Sequence, residues 1–152
     1  MLFLNERMML MKILIAPSEY QNITEYNDCN GVIVGLKKFS VFIPLELTID
    51  EIKKMTSRLK QEGKEIFVSV NKMMYNEDIP LLKEYLLILD SINVTGIIYD
   101  DLAVLNIVKN LKLNIPLVWF GIHSFTNYYT SNYWYEKGVK YGVLSTEITL
   151  DQ

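Results

Sequence analysis

The 152-residue sequence predicts an α/β fold on a parallel sheet, an incomplete TIM-like (β/α) barrel of about six strands. Three observations predict it. Short, β-branched, apolar runs alternate with longer stretches of helical periodicity along the chain, as in repeated βαβ units. The apolar runs are nearly continuous rather than alternating, so both faces of each strand are expected to be covered. Length does the rest: a closed barrel takes about 250 residues, and this chain supplies between five and six of its eight units. Right-handed crossovers would also build an open doubly wound sheet, which stands as the alternative.

The expected strands are Lys12 to Ala16, Gly31 to Gly35, Glu65 to Val70, Gly96 to Tyr99, Ile115 to Phe120 and Lys140 to Leu144. Between them, Thr48 and Glu51 form a capping box for a helix over 48–62 that aligns Ile49, Ile52, Met55 and Leu59 on one face, with Gly63 as its stop. Asp78 is expected to cap a second helix with Pro80 in its first turn, where a missing N–H costs nothing. Asp101 should cap a third, with Leu102, Leu105, Val108 and Leu111 as its inner face. Thr126 or Asn127 should start a fourth, Tyr128 to Lys137, ending at Gly138. The last residues, LSTEITLDQ, read as the start of another strand-to-helix loop. An incomplete barrel leaves two strand edges, so self-association through them is expected. One domain is expected over 11–152. Residues 1–10 read as an extension, with Met11 as the natural start; Glu6 and Arg7 split the apolar run that would otherwise resemble a signal sequence.

Half of the residues are hydrophobic and 22% are charged, which excludes a disordered chain and a membrane-spanning one. The net charge is −3 and the lysines look scattered, so duplex DNA is not an expected partner. A single cysteine, Cys29, excludes an internal disulfide and cannot by itself hold a zinc or an iron–sulfur cluster. A reducing, cytoplasmic compartment and no cofactor follow as expectations.

The segments KILIAPSEY, GVIVGLKKFSV, IFVSVNKMMYNED, GIIYDDLAVL and above all TNYYTSNYWYEKGVKYGVLSTEI resemble the N-terminal barrel portion of the bacterial collagenase-like peptidases. The resemblance implies a TIM-like barrel and a cytoplasmic bacterial protein assigned to peptidases of unknown catalytic type. It also implies kinship with proteins that assist hydroxylation of tRNA or rRNA bases and carry a cysteine-rich region not found in this sequence. Asn71 and Glu147 match the family pattern. Ile122 and Phe42 stand where the pattern implies Glu and Arg, and Thr146 precedes Glu147 where an Arg is implied. A set of paired charges is thereby reduced to one carboxylate, which opens the reading of an inactive member.

In a barrel the loops after the strands form one rim, and chemistry is sought there. Those loops hold Ser18, Glu19, Lys37, Lys38, Asn71, Asp100, Asp101, His123 and Glu147. Asn71, His123 and Glu147 are the catalytic candidates: His123, the sole histidine, as general base, and Asn71 as a hydrogen-bonding group for a peptide or RNA substrate. Lys37, Lys38, Asp100 and Asp101 are the substrate-binding candidates. Each has a plainer reading: a turn residue for Asn71, a helix cap for Asp101, a loop histidine bonded to backbone for His123, solvated loop charges for the lysines. The aromatic group Tyr128, Tyr129, Tyr133, Trp134 and Tyr135 could stack on RNA bases, but helical spacing favours packing on the sheet. Two further classes stand beside the peptidase: a non-catalytic binding or assembly module, and an RNA-modification accessory factor.

Overall fold

The computed structural model describes residues 12–20, 28–121 and 125–147. The predicted N-terminal extension, Met11, Ile122 and His123 lie outside them. Among the described residues seven strands and four α-helices follow one another: β1 (Leu14–Ile15), β2 (Gly31–Leu36), β3 (Glu46–Leu47), α1 (Ile49–Gln61), β4 (Glu65–Val70), α2 (Ile79–Ser91), β5 (Gly96–Tyr99), α3 (Leu102–Asn110), β6 (Leu117–Trp119), α4 (Tyr128–Glu136) and β7 (Tyr141–Gly142).

Every strand pair is parallel, and the sheet order is β1-β2-β4-β5-β6-β7. This order decides between the two architectures. A doubly wound sheet reverses direction at a switch point, whereas here each crossover steps the same way, so right-handed connections lay the helices on one face of a curling half-barrel. Burial agrees. Val32, Val34, Leu36, Ile66, Val68, Val70, Ile97 and Leu117 face the helices and share one core with Ile52, Met55, Leu59, Leu82, Leu86, Leu89, Val104 and Val108. The alternate positions Ile33, Phe67, Ser69, Ile98 and Val118 face the inside of the half-barrel.

The two-residue strand β3 was not anticipated. It pairs with Gly35 and Leu36, while β1 pairs with Gly31 and Val32, so two short strands share one edge of β2. The chain can reach that edge twice only by looping over the strand ends, which puts residues 37–45 on the rim.

Helix termini follow the sequence closely. Thr48 accepts the N–H of Glu51 while the Glu51 carboxylate accepts that of Thr48. Gly63, at φ +69°, allows Lys64 N–H to reach the Leu59 carbonyl and Gly63 N–H that of Lys60, a Schellman ending. Asn127 caps α4 by accepting Thr130 N–H at 3.0 Å. Asp78 departs from expectation. It stands before α2, but its carboxylate turns back to the N–H of Tyr75 and caps the 3₁₀ turn Asn76–Asp78 instead.

Two helix faces differ from the predicted ones. In α3 the buried residues are Val104, Leu105, Ile107 and Val108, while Leu102 and Leu111 are exposed because they stand at the two ends of a nine-residue helix. In α4 no residue is buried, so the expectation that Tyr129 and Tyr133 pack it onto the sheet is wrong. Only Trp134 turns inward, stacking on Trp119 at 4.0 Å between ring centroids.

Candidate functional site

The rim at the C-terminal ends of the strands is organised by two polar side chains that tie loops together. Asn71, the first residue past β4, uses its whole amide on Val41: Oδ1 accepts the Val41 N–H at 3.0 Å and Nδ2 donates to the Val41 carbonyl at 3.1 Å. The pair of bonds imitates strand pairing and fixes the β2–β3 loop across the top of β4. Asp101 caps α3 through Oδ1, which accepts Ala103 N–H at 2.8 Å, and grips the β4–α2 loop through Oδ2, which accepts Met74 N–H at 2.7 Å. Both candidates therefore position loops that come from far along the chain.

Between these ties lies a hollow of about 250 Å³ lined by Asn71, Lys72, Met73, Asp100 and Asp101. Lys72 closes one side, ion-paired with Asp78 at 3.1 Å and lying 5.8 Å from the Tyr75 ring centroid. The Tyr75 N–H, and then Lys72, hold the Asp78 carboxyl below its ordinary range. Asp100 behaves in the opposite sense. Its carboxylate is half-buried and has no hydrogen bond to the other described residues; burial, and then the neighbouring Asp101, push its pKa up. It is the lining group best able to receive a cationic or hydrogen-bonding part of a ligand.

The other predicted residues lie elsewhere. Lys37 and Lys38 are exposed over a separate hollow of about 200 Å³ at the start of α1, shared with Thr48, Ile49, Asp50 and Tyr85. Glu147 is exposed past β7 and lines neither hollow; Ser18 and Glu19 are exposed past β1. Among the described residues no three His, Cys, Asp or Glu side chains gather to hold a metal. Cys29 is buried and single, which does not fit an iron–sulfur cluster.

Sequence reasoning missed the apolar part of the rim. Phe42 is 99% exposed and sits at φ +59°, a conformation that L-residues adopt at a cost of roughly 1–2 kcal/mol. The neighbouring loop adds Met73 and Tyr75, 73% and 60% exposed. The run Lys72-Met73-Met74-Tyr75 at a strand end was a legible signal, since Met74 alone packs against the core and Met73 and Tyr75 have no sheet to cover them. The left-handed backbone at Phe42 was not legible.

The fold is a half-barrel of the (β/α) class whose strand ends form one rim. The chain belongs to Peptidase family U32, whose model matches residues 20–152. It is 28% identical to tRNA hydroxylation protein P2 of Bacillus subtilis (strain 168) over 142 residues, which are 92% of this chain and 46% of that protein. With tRNA hydroxylation protein P1 of the same strain it shares 27% over 138 residues, 88% of this chain and 33% of that one. The chain thus spans less than half the length of either relative. Among solved structures, the U32 peptidase Mk0906 superposes with a TM-score of 0.56 at 15% identity, over 72% of this chain and 49% of that chain, a likeness of fold. Among the described residues no helix is long and apolar enough to cross a membrane.

Proposed function

We propose that this chain serves in tRNA hydroxylation, with the strand-end rim as the surface that meets the RNA. The observation that carries this reading is its alignment with two tRNA hydroxylation proteins over about nine-tenths of its length. The rim's chemistry supports it. Phe42, Met73 and Tyr75 offer exposed flat or soft apolar surface on which a base can stack, and Asp100 offers a carboxylate to its polar edge. Peptide hydrolysis needs an activated nucleophile or a water held by an acid–base pair. Asn71 and Asp101, which the sequence offered for substrate chemistry, are instead committed to neighbouring backbone.

The test is made in the native host. Deleting the gene should remove, or sharply reduce, a tRNA nucleoside one oxygen heavier than its parent in a mass-spectrometric digest, and the Phe42→Ala gene should restore it only in part. Unchanged nucleosides in the deletion strain, together with loss of a peptide-hydrolysing activity, would reverse the assignment in favour of the peptidase.

A further inference from the structure

A second surface, away from the rim, combines positive charge and aromatic rings. Residues 102–146 contain four lysines and one acid, Glu136, a local charge of +3 in a chain whose total is −3. Folding brings Lys109, Lys112 and Lys140 together around the end of α3 and the turn from α4 to β7, while Lys137, at the end of α4, lies beside the Tyr133 ring. None of them makes an ion pair with a described residue. Asp90, on helix α2, accepts the backbone N–H of Asn114 at 2.9 Å.

Two troughs meet at Lys140. One, of about 360 Å³, is basic: Lys109, Lys112 and Lys140 stand over a floor that includes Pro116 and Gly138. The other, of about 350 Å³, is lined by Trp134, Tyr135 and the β7 residues Tyr141 and Gly142 and reaches Leu144 at the rim end of the sheet; the Tyr141 ring turns over the sheet edge toward the inner face, 6.5 Å from the Phe67 ring centroid. Phe125 lies directly over Gly142, leaving no room for a side chain there. Lys140 Nζ lies 5.2 Å from the Tyr141 ring centroid, and Lys137 Nζ 5.3 Å from that of Tyr133. Tyr133, Tyr135 and Tyr141 are 54%, 76% and 45% exposed.

We infer that this double trough binds single-stranded RNA and leads it along edge strand β7 toward the rim. The inference rests on RNA being the client of the rim, and it adds where and how the strand is held. Unpaired lysines meet phosphates, while exposed rings between them accept bases by stacking, the pairing of features that a single-strand track needs. A protein partner would be served by the rings but leaves four uncompensated cations unexplained.

The experiment is fluorescence anisotropy with the full chain and a labelled twelve-nucleotide single-stranded RNA, with its duplex as control. If the four lysines contact phosphates, log affinity should fall with log salt at a slope of about −3, or roughly 50-fold between about 50 and 200 mM. Lys109→Gln with Lys140→Gln should flatten the slope by about 1.4. Tyr135→Ala and Tyr141→Ala should each weaken binding roughly fivefold or more. All four side chains are exposed, so unchanged melting temperatures will confirm that the variants fold. Absence of single-strand binding at low salt, or binding that none of these substitutions alters, would overturn the inference. So would substitutions that change only sedimentation, which would make the trough a protein contact. Binding that depends on these residues in a chain whose deletion leaves tRNA nucleosides unchanged would keep the track and remove the hydroxylation reading. Nucleosides lost on deletion but insensitive to the trough variants would do the reverse.

Discussion

Helices α1 and α4 begin and end by the same devices and yet make opposite use of their faces. Each has a polar N-cap accepting a backbone N–H three residues on, and each is followed by a positive-φ glycine, Gly63 or Gly138. Helix α1 buries Ile52, Met55, Thr56 and Leu59 against central strands, whereas α4 buries nothing and rests on the single Trp134–Trp119 stack. The difference lies in what is underneath. Helix α1 covers β2 and β4, paired on both sides, while α4 lies over the edge formed by β6 and the two-residue β7. Well-formed ends make a helix; only neighbours make it part of a core. Among the described residues, the aromatic surface of α4 is exposed because the sheet beneath it is narrow.

Core truncation should separate the two regions most widely. Leu86→Ala, at a fully buried site on α2, is expected to cost about 2–5 kcal/mol in urea unfolding, and Tyr129→Ala on α4 less than about 0.5 kcal/mol. Equal losses would mean that α4 is covered after all. Asn71→Ala comes next: losing both bonds to Val41 should cost roughly 1–3 kcal/mol and speed hydrogen exchange at Val41. If stability holds and Val41 stays protected, the clasp is not what fixes the rim.

Capping should erase the difference between the regions. Thr48→Ala and Asn127→Ala are each expected to remove about 1 kcal/mol, measured by thermal unfolding, despite the unequal burial behind them. Phe42→Gly should act with the opposite sign, stabilising by about 1 kcal/mol as the left-handed strain is relieved, while RNA binding at the rim weakens. A destabilised Phe42→Gly chain would mean that the phenylalanine packs on something.

The smallest effect is electrostatic. Because burial raises the Asp100 pKa in the folded chain, folding costs most when this group is ionised: its penalty is absent below the unfolded carboxylate range and grows as pH rises through the folded value. Asp100→Asn should therefore stabilise at neutral pH, by under about 0.5 kcal/mol given solvent screening, and match the parent chain in acid. A gain that is the same at both pH values would assign the effect to something other than ionisation.

Much of the candidate rim was legible from residue order alone, since every strand end in the sequence announces a rim loop. Asn71 and Asp101 follow strand ends, as residue order implied, but their partners, Val41 and Met74, lie 30 and 27 residues away. No local pattern encodes which distant N–H an amide will meet. The lysine cluster was hidden for the same reason: Lys109 and Lys140 look scattered in the chain and come together only when α3 and the α4–β7 turn fold side by side.

The sequence by itself determined the strand–helix alternation, the ends of the helices and the barrel-like class, because these depend on propensity, periodicity and caps that act within about four residues. The tertiary structure alone decided that the sheet runs in one direction, that β3 completes the edge of β2, that Leu102 and Leu111 stay outside, and that the α4 tyrosines face solvent. Burial is set by whatever lies across the interface, and at an edge strand the interface runs out before the helix does.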